Sequence, residues 1–547
     1  MAADLCAETA SVQINSGQKL YFMRKTTFLR GRWVFGHPGA LVLLAGAFSS
    51  AFAETQAPAF RLFLAPQTVH SDEVTLLWEK PEDARAGARY EVLRDGEPAG
   101  ETTKTHFTAT GLAAKHDYVF TIRARSATAG DARESNALSV HTHDPETVVS
   151  VLDHGAIGDG HTLNTQAIQA AINACPVGGV VRIPAGVFLS GALFLKSDMT
   201  LEIAKGGVLK GSAAIADYEP FILNRFEGWE MKTCASLLNA GTLDRHGPAN
   251  VRNLSIRGAG TLSGGGAALS NAVRSAFPGR EGLRSRGRLI LLMNAENVEV
   301  AGLTLEESPC WTLHYIYSEN VSIHGLTIRS DVLNGDGIDP DSSRNSCIFN
   351  CSFDTGDDCI AIKSGKNPEG NEVNRPTENV RIVDCRFVRG HGISIGSEIS
   401  GGVRDVLVED CTAGELLHGL QIKATKDRGN VVENVTVRDC DLRKISILTA
   451  LNYNNDGAPA PEQPYFRNFH FSDIDMTAAD AAGAVILVNG FEAEGHRTRN
   501  VTFKNIRLPA GAKVTIDHCE DLVFSDVITA ENKKPAYNIT QSEHVTY

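Results

Sequence analysis

The 547-residue chain is short of three things, and each shortage removes a class of function. Its most membrane-like apolar run, Ala40 to Phe48, falls well below the ~20 residues that a spanning helix needs. Basic charge is scarce, with 52 Lys and Arg against 65 Asp and Glu and a formal net charge of -13. That balance argues against nucleic acid or an anionic membrane as partner. The eleven cysteines include no Cys-x-x-Cys pair and come without clustered histidines. A metal centre is therefore disfavoured, and no cofactor is expected.

The first 53 residues read as an upstream segment and signal peptide. Met23-Arg-Lys25, Arg30 and Arg32 form a basic stretch, the short apolar run follows, and Ala51-Phe-Ala53 makes a small-residue cleavage pattern before Glu54. Met23 is the plausible true start, and a membrane anchor is the alternative. Cleavage near Ala53 implies a periplasmic or secreted protein that is more acidic still. Export would normally suggest disulfides. Instead, Cys351, Cys385, Cys411 and Cys440 each follow a short β-branched run in the same phase of a repeat. They read as a ladder of buried thiols, with Cys175, Cys234, Cys310 and Cys519 left as disulfide candidates.

Residues 54–145 alternate like short strands. Val74-Thr-Leu-Leu-Trp78, Tyr90 to Gly96 and Tyr118 to Ala124 are separated by turn signals, and one Trp with two Tyr at strand-like spacing fits a sandwich core. The segment resembles a fibronectin type III domain. Nothing in it carries chemistry, so a spacer or docking role is preferred over sugar binding.

From residue 146 to 547 the chain repeats. Asn164 looks like a cap for a helix over Ala167 to Cys175. An Asn-Val-x-x-Ile-like unit then recurs, marked by Asn253, Asn297, Asn320, Asn345, Asn379, Asp405, Asn434, Asn468, Asn500 and Asp521, at steps of 21 to 44 residues. Short strands and turns at such a period mean stacked coils. The fold class is all-β, a right-handed parallel β-helix after a small β-sandwich. The helix would cap the open end, and the two longest early steps, Ser263 to Arg288 and Ser364 to Thr377, read as added loops, either binding-face or decoration.

Chemistry concentrates between Val332 and Lys423. Asn334-Gly-Asp336 is followed 21 residues later by Gly356-Asp357-Asp358, then by Gly390-His391-Gly392 and Gln421-Ile-Lys423. One coil separates Asp336 from Asp357, so the acids fall on rungs about 4.8 Å apart, with His391 and Lys423 on later coils of the same face. Two adjacent aspartates running into Cys359-Ile-Ala-Ile362 resist burial. Crowded acids divide into one protonated and others ionised, which glycosidic cleavage requires. Lys423 and His391 can pair with a sugar carboxylate.

These four segments resemble the signature segments of glycoside hydrolase family 28, the polygalacturonases, over about Val148 to Asp441. The resemblance implies a pectic polysaccharide substrate, inversion, and an enzyme close to the bacterial exo-acting members, given the fibronectin-like domain and Gly396 to Gly402. It assigns Asp358 as general acid, Asp336 and Asp357 as the pair activating water, His391 as support, and Asn334, Lys423 and Tyr453 to substrate. Two departures stand out. Gly335 replaces the commoner Thr, a mild change if it points away or forms a tight turn. Gln421 replaces the usual Arg and cannot grip a carboxylate bidentately. Lys363, Arg404 or Lys426 would then supply the charge, or the substrate is a rhamnogalacturonan or xylogalacturonan. A rung spacing nearer that of retaining enzymes sits in tension with inversion. A pectate lyase or a non-catalytic pectin-binding β-helix are the readings from other classes.

Overall fold

Each Asn-Val-x-x-Ile unit becomes one coil of a right-handed parallel β-helix. The ten marker residues from Asn253 to Asp521 all have left-handed backbone, with φ between 52° and 60°. Asn and Asp tolerate that conformation best after Gly. Their side chains also stack: Asn297 Nδ2 donates to Asn253 Oδ1 at 3.1 Å, Asn320 to Asn297 at 3.0 Å and Asn345 to Asn320 at 3.0 Å. The repeat seen in sequence is thus a turn ladder that satisfies its own amides coil by coil.

The computed structural model describes residues 59–81, 84, 88–125, 133–449 and 457–547. The signal segment, its Met23 start and the Ala53 site lie outside the described residues, as does Tyr453. A 14-stranded parallel sheet runs from Val148–Ser150 to Glu543–Thr546 and forms one wall. The other 19 strands form two walls that stay separate as far as Ser352–Thr355 and Ile360–Ile362. They then share the long bent strands Arg386–Ile395 and Thr412–Lys423.

Inside the coil, Leu313, Ile338, Ile360, Ile393, Leu420 and Ile445 are in register as one buried column. Each such side chain contributes on the order of 2 kcal/mol by leaving water. Because side chains alternate across a strand, the next positions face outward: His314, Asp339, Ala361, Ser394, Gln421 and Ser446. That outward column is the floor of the site.

The helix Thr165–Ala174 buries Ile168, Ala171 and Ile172, as its apolar spacing predicts. Asn164 precedes it but makes no side-chain cap. Its amide instead accepts from Ile157 N at 2.7 Å and donates to Thr162 O at 2.6 Å, closing the preceding loop. The Ser263 to Arg288 insertion is no plain loop, since it carries helices Gly266–Ala276 and Gly279–Arg284. An antiparallel hairpin, Ile222–Phe226 with Trp229–Thr233, has no counterpart in the sequence reading.

Cys351, Cys385, Cys411 and Cys440 form the expected buried ladder, with Cys411 N donating to Cys440 Sγ at 3.4 Å. Burial pushes the thiols of Cys385, Cys411 and Cys440 well above their ordinary range. Among the described residues, Cys175, Cys234, Cys310 and Cys519 are free and buried, so none of these disulfide candidates is paired.

The N-terminal β-sandwich has one sheet of Leu62–Val69, Glu73–Trp78 and His106–Thr110 and a second built around Arg89–Arg94 and Asp117–Arg125. Trp78, Tyr90 and Tyr118 lie in its core, as their spacing predicts. It docks on the 14-stranded wall. Ala65 and Leu77 pack on Phe349 and Val383, Lys80 bridges Asp410 and Asp439 at 2.8 and 2.9 Å, and buried Glu299 takes His70 at 2.8 Å and His324 at 3.1 Å.

Candidate active site

The three aspartates come together because a close turn precedes each strand of one wall. Gly335 is not open space: a Cβ there would lie 2.8 Å from Ser330 Oγ and from Val332 O. At Gly390 the backbone has φ +137°, and a Cβ would meet Thr355 Oγ1 at 2.3 Å. These approaches bring Asp336, Asp357 and His391 over one floor.

Register divides the acids in a way that residue spacing alone does not. Ile338 pairs with Ile360, and Gly337 N donates to Asp358 O at 3.0 Å, so Asp336 lies beneath Asp358. Both side chains are 5% exposed, whereas Asp357 turns outward and is 25% exposed. His391 N donates to Asp357 O at 2.9 Å, and its Nδ1 lies 3.0 Å from Asp357 Oδ1 and 3.6 Å from Asp358 Oδ1. Ser394 Oγ donates to Asp358 Oδ1 at 2.7 Å, and Lys423 Nζ donates to Asp358 Oδ2 at 3.2 Å.

Burial opposes ionisation of Asp358, but Lys423, His391, Lys363 and Ser394 overcome it and hold the carboxyl below its usual range. Asp336 goes the other way. Burial, with the charges of Asp339 and Asp357, pushes it well above the usual range, against Lys363 at 3.5 Å. Burial also raises Asp339, to about 7, although Lys363 stands 3.3 Å away. Both Asp358 oxygens accept hydrogen bonds from within the protein, whereas Asp357, expected from the sequence to activate water, is the more exposed of the two. His391 is raised to about 9 by its hydrogen bond to Asp357, then by that to Asp358.

That shift carries a pH prediction. The imidazolium is present below about 9 and is lost as pH rises through that value. If its proton is needed, kcat/KM should fall on an alkaline limb centred near 9. A pH profile of kcat/KM on the free enzyme checks this, and a limb near the ordinary His value of about 6.5 would contradict it.

A cavity of about 160 Å³ lies over the acids, lined also by Asn334, Trp311, Lys363, Lys366, Glu398 and Arg428. Asn334 Oδ1 accepts from Arg286 at 2.7 Å, which fixes the turn. Lys363 sits over the Trp311 ring at 4.6 Å. Gln421 is buried in the outward column but does not line this cavity, and its register neighbours Ser394 and Ser446 carry no charge. Arg404 belongs elsewhere. It lies on the 14-stranded wall, bonded to Glu378 at 2.6 Å, in a column where Arg344, Glu378, Arg404, Glu433 and Arg467 alternate in sign along the register. Cross-strand ion pairs explain it better than substrate does. Lys426 is exposed, and Arg428, two residues on, lines the cavity with Lys363, Lys366 and Lys423.

Sequence reasoning missed Ser394, Asp339, Arg428 and the aromatic Trp311. Asp339 had a signal, since Asp339-Pro-Asp341 has strand periodicity and so faces outward with the floor. Ser394 had the same signal, lying between Ile393 and Ile395 on a strand, whereas Trp311 and Arg428 come from loops and left none. Asp357, Asp358 and His391 also bring possible ligand atoms within 4.8 Å of one another. Ser394 and Lys423 already hold the Asp358 oxygens, and an ammonium 3.2 Å away disfavours a divalent cation.

The family model for glycosyl hydrolases family 28 matches residues 183–530. The chain is 27% identical over 549 residues to an exo-poly-alpha-D-galacturonosidase of Dickeya chrysanthemi, a match covering 87% of this chain and 91% of that protein. It is 33% identical over 410 residues to a probable polygalacturonase of Vitis vinifera, covering 72% and 80%. The structure of the family 28 exopolygalacturonase of Yersinia enterocolitica superposes with a TM-score of 0.81 at 27% identity, covering 89% of this chain and 99% of that one. With the matched segment spanning most of the coil and its carboxylates gathered on one wall, this chain belongs to glycosyl hydrolases family 28 and is a glycoside hydrolase.

Proposed function

We propose that the enzyme hydrolyses α-1,4-galacturonosidic bonds of polygalacturonate from a chain end, with inversion. The observation that carries this is the division of the acids: Asp336 and Asp358 stacked and buried on adjacent coils, with Asp357 turned outward against His391. In the reaction, water held between Asp336 and Asp358 gives a proton to the ionised Asp358 while its oxygen bonds to the anomeric carbon. Protonated Asp336 donates a hydrogen bond to that water. The glycosidic C–O bond breaks, and the leaving oxygen takes a proton through Asp357, to which His391 Nδ1 passes its own across their 3.0 Å contact. Asp357, not Asp358, is therefore the general acid of this reading. The names of the Dickeya and Yersinia relatives support galacturonate as the sugar.

The hairpin supports action at a chain end. Its tip meets the Ser364 to Val373 insertion, where Lys366 N donates to Gly228 O at 3.3 Å, and Asn367 continues the contact to Ala458 O at 2.9 Å. Glu227 and Lys366 line the cavity from this wall, so one side is closed against a continuing polymer. Gln421 and its uncharged neighbours favour a second reading, a rhamnogalacturonan hydrolase.

Digestion of polygalacturonate and of rhamnogalacturonan, with products separated over time and the first anomer recorded by NMR, tests both. Mono- or disaccharide of inverted configuration from polygalacturonate in the first minutes is expected. A ladder of oligomers would refute end action, a retained anomer would refute the assigned roles, and cleavage of rhamnogalacturonan alone would favour the second reading.

A further inference from the structure

On the coil after His391, Gly419 pairs with Gly392, which sets His418 directly beside His391. The two rings lie 5.8 Å apart at an interplanar angle of 69°, edge to face. His418 Nδ1 is buried and makes no hydrogen bond. An imidazole with an unsatisfied buried nitrogen is costly to keep for packing alone, since an aliphatic or phenyl side chain would fill the space without that cost.

The charges around the pair are opposed. His391 is faced from the preceding coil by Asp357 and Asp358. His418 is faced by His391, Lys423, Asp358 and Lys444. Burial, followed by the charges of His391 and Lys423, lowers His418 to about 4. Of these two adjoining rings, the one beside the aspartates is favoured as a cation and the one beyond it is disfavoured as one.

We propose that His418 is a positioning residue for catalysis. Its uncharged ring braces the His391 imidazole from the next coil, keeps Nδ1 turned to Asp357, and leaves His391 the single protonated imidazole of the pair. This rests on the reading of His391 as proton source for Asp357. A cation at position 418 would stand about 6 Å from the His391 ring and oppose its protonation, by about one pH unit at an effective dielectric between those of protein surface and water.

The test uses the whole chain and four forms: wild type, His418→Ala, His418→Phe and His418→Lys. The His391 titration is followed by imidazole NMR after selective histidine labelling, assigned with His391→Gln, alongside kcat and KM on polygalacturonate. For His418→Lys, the His391 titration and the alkaline limb of kcat/KM should both move down by about one unit. For His418→Ala, kcat should fall about 10- to 100-fold with KM changed less than about twofold, and His418→Phe, which restores an uncharged ring, should recover most of that loss. An unmoved His391 titration in His418→Lys, or a kcat for His418→Ala equal to wild type, overturns the proposal. Because the NMR titration needs no substrate, a wild type inactive on polygalacturonate would sink the functional reading and leave this one still open to decision.

Discussion

Replacing Asp357 by Asn should lower kcat on polygalacturonate by about two to four orders of magnitude, the usual worth of a positioned proton donor. Asp358→Asn should cost at least as much, so overall loss does not distinguish the two carboxylates. Leaving-group chemistry does. An aryl galacturonide whose phenolate departs without protonation needs no general acid. Asp357→Asn should therefore recover much of its activity on that substrate, while Asp358→Asn, which lacks the proton acceptor for water, should stay inactive on both. The physical ground is the asymmetry of the pair. Asp358 is favoured as an anion by Lys423 and Ser394 on later coils, whereas Asp357 is the more exposed and is held by His391 at 3.0 Å. The opposite pattern, with Asp358→Asn rescued by the activated leaving group, would restore Asp358 as the acid.

Arg225→Met should produce the largest loss of stability. Arg225 is fully buried, and its Nη1 donates to Asp341 Oδ1 at 2.7 Å and to Ser342 Oγ at 2.9 Å. Its guanidinium covers the Tyr317 ring at 4.7 Å. Burial disfavours the Asp341 anion, yet Arg225 and His314 hold its carboxyl below the usual range. Removing the cation strands a carboxylate that is 0% exposed, a change worth about 3–5 kcal/mol. The same side chain pins the hairpin to the catalytic wall, so longer oligomers should appear among the products. Urea unfolding and product separation read the two effects together. The double variant with Asp341→Asn should recover much of the stability but keep the altered products, because the anchor is still missing. A single variant within about 1 kcal/mol of wild type would show that the pair breaks even with its desolvation cost.

The coil was legible because its signals are local. Asn253 and its successors mark a left-handed turn that few residues accept, and the β-branched run after each one is a strand buried on its inner face. The thiol ladder was legible for the same reason, since phase in a repeat fixes position on a wall. Asn164 was misread because an amide before a helix can bond either to the helix or to the loop behind it, and the coil chose the loop. Arg404 was misread because its partners, Glu378 and Glu433, are neighbours only through the register of three coils. The hairpin carried no repeat signal, so its place over the catalytic wall could be seen only once Arg225 had met Asp341.

The sequence by itself determined the family, the coil and the identity of the residues that gather on one wall, because a regular repeat converts spacing into position. It could not determine which aspartate gives the proton. That depends on surroundings brought in from other coils: Lys363 beside Asp336, Ser394 and Lys423 on Asp358, and His391 against Asp357. Electrostatic partners over 3 to 4 Å are a property of tertiary register, which residue spacing alone does not fix.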